Sequence, residues 1–148
     1  MLLFCKMKEN RTRNILQKKP DRIVFFDGVC HLCNGFVDFV IRLDQRHSLH
    51  FAPLQGSTSK KVLRREYTET LDSVIYFRDG ETYTESTAII LILAELHPLF
   101  KILYLFLPIP EKFRNIFYQT VARNRYKWFG TREFCRIPTK AERGYLLD

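Results

Sequence analysis
The chain has 148 residues, the length of one ordinary domain, with 46% hydrophobic and 14% aromatic residues; it can bury a core and is excluded from the compositionally disordered class. Four cysteines, Cys5, Cys30, Cys33 and Cys135, are too few for a disulfide-stapled secreted scaffold of this size. The formal charge of +8 is uneven: residues 1–22 hold seven Lys/Arg against two acids, and residues 111–148 hold nine against four. Such ends read as a solvated face, or as contact with an anionic partner such as a lipid headgroup or an acidic protein. No zinc-finger spacing or RNA-binding signature points to nucleic acid. The start, Met1-Leu2-Leu3-Phe4-Cys5-Lys6, has too short an apolar stretch for a signal peptide, so a reducing, cytoplasmic setting is expected; an Arg-containing organellar presequence is the alternative.

Residues 1–21 are polar, basic and aperiodic, and read as a flexible tail. Arg22-Ile23-Val24-Phe25-Phe26-Asp27 is rich in β-branched and aromatic residues, which predicts a buried strand stopped by the Asp27-Gly28 turn. Phe36, Val37, Val40 and Ile41 then recur at helical spacing. Leu49–Leu54 reads as a second strand, with Pro53 marking its end or a sheet edge. Ser57 is placed to cap a short polar helix. Ser73–Phe77 is the clearest strand, and Asp79-Gly80 turns it into Glu81–Thr84 as a hairpin. Ser86 or Thr87 is placed to cap an apolar helix from Ala88 to about Leu96.

Glu95, His97, Pro98 and Lys101 interrupt the apolar stretch that follows, which excludes a spanning helix. Leu99–Leu107 is expected to form a second packed helix, with membrane-surface contact as the minority reading. Pro110 opens a last long helix whose apolar positions Phe113, Ile116, Phe117 and Val121 share one face, and Gly130 stops it. Thr139-x-x-Glu142 is a capping-box pattern for a short terminal helix. The order β-α-β-α-β-β-α predicts an α/β fold: a small mixed sheet with flanking helices, thioredoxin-like, at residues 22–97, and a C-terminal helical extension, 98–148, packed on it.

The chemistry centres on Cys30-His31-Leu32-Cys33, where the first strand hands over to the first helix. A cysteine at a helix N-terminus sits beside unsatisfied N–H groups and a favourable dipole, which activates it as a thiolate. Cys30 is therefore the expected nucleophile, with the more exposed sulfur, and Cys33 the buried resolving thiol. His31, when protonated, would support the thiolate, and Asp27 would fix the turn or assist proton transfer at Cys33. A C-x-x-C pair is also half of a zinc site, but Cys5, Cys135 and the single histidines His47, His50 and His97 supply no second ligand pair. No metal and no cofactor is expected. Arg123–Phe129 mixes cations and aromatics, which favours arginine stacking within the protein.

The run Phe26-Asp27-Gly28-Val29-Cys30-His31-Leu32-Cys33-Asn34 closely resembles the opening motif of the DCC family of thiol–disulfide oxidoreductases. The resemblance extends through Phe51–Gln55 and Leu71–Val74 to Ala122-Arg123-Asn124-Arg125-Tyr126-Lys127-Trp128-Phe129-Gly130. It implies a thioredoxin-like fold and disulfide reduction or exchange. Thioredoxins place a cis-proline before the third strand to bind substrate backbone; here that place reads Leu71-Asp72-Ser73-Val74, which makes Asp72 and Ser73 the candidate substrate contacts. Glu85-Ser86 looks like the element by which glutathione transferases hold the γ-glutamyl end of glutathione, although a helix cap is the other role of Ser86. The expected partner is a disulfide-containing protein or a low-molecular-weight thiol such as glutathione. The competing readings are a redox-inert binding module with a basic docking surface and a glutathione-binding transferase-like protein.

Overall fold
A computed structural model describes residues 21–70, 74–131 and 146–147. Four strands, β1 (Arg22–Phe26), β2 (His50–Pro53), β3 (Ile75–Arg78) and β4 (Glu81–Thr84), form one sheet in the order β2-β1-β3-β4. β1 runs parallel to β2, with Val24 opposite Phe51, and antiparallel to β3, with Val24 opposite Tyr76. The parallel pair needs a crossover, and α1 (His31–Leu43) supplies it. The β3–β4 hairpin turns at Asp79-Gly80, where both residues adopt positive φ, +51° and +86°, as a two-residue hairpin turn demands. The thioredoxin-like α/β architecture expected from the sequence is present.

Alternation along the central strand gives the sheet two buried faces. Val24 and Phe26 pack with Val37 and Val40 of α1 and with Ala88, Leu91 and Ile92 of α4 (Glu85–Leu96). Ile23 and Phe25 pack on the other side with Leu54, Leu63 and Phe77, beside the short helices α2 (Ser57–Val62) and α3 (Arg65–Thr70). β2 is an edge strand ending at Pro53, as proline there requires. That edge is covered: Leu147 N–H donates to Phe51 O at 2.6 Å, and Leu146 and Leu147 are buried. Glu95 ties α4 to the sheet, accepting from Tyr76 Oη at 2.6 Å and pairing with Arg78.

Several local expectations are corrected. Gly56, not Ser57, occupies the N-cap of α2, and Ser59 closes that turn by donating to Leu54 O and Gly56 O. α4 begins from Thr84 through Glu85 at φ +55°, so neither Ser86 nor Thr87 is its cap. Leu99–Leu107 is not an α-helix: Pro98–Phe106 is a 3₁₀ helix that rests on α4 with no buried residue. The last helix, α5 (Glu111–Phe129), starts after Pro110 and ends at Gly130 as expected. Its buried face is not the apolar one. Phe113, Ile116, Phe117 and Val121 are exposed, while Arg114 and Arg125 are largely covered. The expected tail 1–21 (save Asp21), Cys5, Cys135 and the Thr139–Glu142 capping box lie outside the described residues.

Candidate redox site
β1 delivers Asp27 and Gly28 to the top of the sheet, and Asn34 shapes the turn that follows. Its Nδ2 donates to Gly28 O at 3.0 Å and Cys30 O at 2.7 Å, bridging the loop and the first helical turn. Cys30 then stands at the N-cap of α1 in extended geometry, φ −83° and ψ 124°. Its Sγ accepts the backbone N–H of Cys33 at 3.3 Å, the bond a capping oxygen would ordinarily take. Both cysteines are free and buried. Burial, the hydrogen bond with Cys30 and the negative charge Cys30 carries on ionising push the Cys33 thiol far above its ordinary value, and Arg125 works against that rise.

The relative exposure of the pair is the reverse of the expectation. Cys30 is 0% exposed and Cys33 8%. Chain from the end of α5 lies alongside Cys30: His31 N–H donates to Gly130 O at 3.4 Å, and Cys30 forms an isolated antiparallel bridge with Thr131. Cys33 instead lines an apolar cavity of about 210 Å³ together with Leu32, Phe36, Val74, Ile89 and Tyr118. Val74 N–H donates to Tyr118 Oη at 2.8 Å, and burial raises the Tyr118 hydroxyl to about 12.

Asp27 is buried, 2% exposed, and both of its carboxylate oxygens are hydrogen-bonded. Oδ1 accepts from Val29 N–H at 3.1 Å and Gln55 Nε2 at 2.7 Å. Oδ2 accepts from Arg125 at 3.2 Å and from the Tyr126 hydroxyl. A buried carboxylate needs this many partners. Burial opposes the Arg125 charge, but the Tyr126 hydrogen bond and the neighbouring Asp27 carboxylate more than offset it, so the guanidinium stays protonated. Arg125 also stacks at 4.8 Å on the Tyr126 ring, the intramolecular stacking expected of that motif. That Gln55, Arg125 and Tyr126 converge on Asp27 was not legible in the sequence: their positions lie 28 to 99 residues from it.

His31 is exposed beside an open apolar groove with Leu32, Phe36, Phe39 and Phe129. Glu85 lines a separate cavity of about 290 Å³ that shares Tyr118 and Ala122 with the Cys33 cavity. Ser86 faces α5: its hydroxyl bonds Asn115 Oδ1 and accepts from Arg114 at 3.3 Å. Asp72 and Ser73 lie outside the described residues. Among the described residues, no cluster of His, Cys, Asp or Glu has the makings of a metal site, and no helix is long and apolar enough to cross a membrane.

Comparison with known proteins agrees with this geometry. The DCC1-like thiol-disulfide oxidoreductase family matches residues 24–131, a span from the central strand through the cysteines to the end of α5. The chain is 38% identical over 122 residues to the uncharacterized protein YuxK of Bacillus subtilis (strain 168), covering 81% of this chain and 89% of that protein. It is 34% identical over 129 residues to the chloroplastic DCC family protein At1g52590 of Arabidopsis thaliana, covering 85% of this chain and 75% of that protein. No solved structure matches. The chain belongs to the DCC1-like thiol-disulfide oxidoreductase family.

Proposed function
We propose that the protein is a thiol–disulfide oxidoreductase that reduces or exchanges disulfides through Cys30 and Cys33. The observation that carries this is the pair itself: two free thiols at one helix N-terminus, with Cys30 Sγ accepting the Cys33 N–H, while burial pushes the Cys33 thiol up. In this reading the Cys30 thiolate attacks one sulfur of a substrate disulfide. A mixed disulfide forms and the first substrate thiolate leaves. Cys33 then gives its proton to a departing thiolate and attacks Cys30 Sγ, releasing the second substrate thiol. Two electrons and two protons pass from the dithiol to the substrate, and two equivalents of a small thiol restore the enzyme.

Cys30, covered by the chain at Gly130–Thr131, reacts when that segment shifts, and the apolar cavity at Cys33 receives the apolar part of the substrate beside the disulfide. The substrates we propose are protein disulfides and mixed disulfides of low-molecular-weight thiols, glutathione included. Ser86 is held by Asn115 and Arg114, so for it to grip a carboxylate it must first let go of α5. The test is reduction of a protein disulfide with a small thiol as electron source. Wild type is expected to turn over and Cys30→Ser to fall to background, with Cys33→Ser accumulating a mixed disulfide. Equal trapping by both variants contradicts the assignment of roles. In parallel, Ser86→Ala should bind glutathione more weakly; binding equal to wild type removes Ser86 from the site.

A further inference from the structure
From the 3₁₀ helix through α5 the chain places large apolar side chains outward. Leu99, Leu105 and Phe117 are 75%, 74% and 80% exposed, and Ile102, Ile109 and Phe113 accompany them. These are not gaps in an otherwise packed face. The 3₁₀ helix and α5 both rest on α4, and α5 turns its Arg114–Tyr118–Arg125 side inward to do so. The apolar side is thereby left outside by construction. Monomeric proteins rarely expose aliphatic and aromatic residues in such a run unless it meets a membrane or a partner.

Charge decides between occupants. Residues 98–129 contain six Lys/Arg and one acid, Glu111. Arg125 is used on Asp27 and Arg114 on Ser86 and Thr87, while Lys101, Lys112, Arg123 and Lys127 are exposed. Two copies joined through this face would bring these cations together, in a chain already at +8. An anionic bilayer neutralises them and takes up the apolar side chains at once. The length and polarity of the described helices exclude spanning. We propose that the face running from Leu99 to Val121 is a docking surface for an anionic lipid bilayer, lying in the plane of the headgroups.

The experiment is co-sedimentation of the full chain with vesicles of mixed phosphatidylcholine and phosphatidylserine, compared with phosphatidylcholine alone. Binding to the anionic vesicles is expected to exceed that to neutral ones by at least about tenfold and to weaken as salt screens the cations. Leu105→Glu with Phe117→Glu should reduce it by about tenfold or more, and Lys101→Glu with Lys112→Glu likewise. All four side chains are exposed, so circular dichroism and the thermal midpoint should match wild type. Equal sedimentation with neutral and anionic vesicles, or none with either, overturns the proposal. So does a concentration-dependent dimer that Phe117→Glu abolishes, because the face would then belong to a second copy.

Discussion
Asp27 and Arg125 set the terms for every residue around the cysteines. Both are almost fully buried, their side chains 2% and 6% exposed, and neither charge is tolerable without the other. Arg125→Leu should therefore cost about 3–5 kcal/mol in denaturant unfolding, because it leaves the Asp27 carboxylate uncompensated. Asp27→Asn should cost a similar amount for the opposite reason. The double substitution should be less destabilising than the sum of the two, since it removes both charges; simple additivity would contradict a direct coupling. Tyr118 makes a second test. Tyr118→Phe strips the buried Val74 N–H of its acceptor, and about 1–3 kcal/mol should be lost in the same measurement. An unchanged unfolding midpoint would mean the bond contributes nothing net.

Among the elements, α1 is anchored at its start by the end of α5. Gly130 caps α5 with φ +77° and ψ −177°, a region open essentially to glycine alone. The space around it is not the constraint, because an added Cβ would meet His31 at an ordinary 3.6 Å. Gly130→Ala should thus cost about 1–3 kcal/mol through backbone strain and loosen the His31 N–H to Gly130 O bond. Cys30 should alkylate faster in that variant under native conditions, and an unchanged rate would show that this segment does not guard it. The elements also show what a sequence can and cannot say. β1, the Asp27-Gly28 turn, α1 and the β3–β4 hairpin are written in local signals, namely β-branched runs, turn dipeptides and helical periodicity. The orientation of α5 is not. Its strongest periodicity, Phe113-Ile116-Phe117-Val121, points outward, because the competing face carries the one guanidinium that the buried Asp27 requires. That partner lies 98 residues away, beyond any local window. The cover on Cys30 is equally distant in sequence: it depends on Gly130 and Thr131, brought over it at the end of α5.

At the scale of the whole molecule, pH reads out the buried acids. Cys33, Tyr76 and Tyr118 all hold their protons to higher pH in the fold than in the open chain. Above the ordinary thiol value the unfolded chain loses protons that the folded one keeps, so stability is full below about pH 9 and falls as pH rises, at about 1.4 kcal/mol per unit for each such group. The urea midpoint should drop from about pH 9 in wild type, and Cys33→Ser should delay the drop to the tyrosine range near about pH 10. A profile identical in the variant would mean Cys33 is not held protonated. The central claim, that Cys30 and Cys33 form one redox couple, is tested most directly by equilibrating the protein in thiol–disulfide buffers and locating the bond by peptide mass mapping. A single two-electron transition is expected, with a Cys30–Cys33 disulfide and a midpoint within the span of known C-x-x-C proteins, about −270 to −120 mV. Thiols that stay reduced across that range, or a disulfide that pairs either cysteine with Cys5 or Cys135 instead, would contradict it.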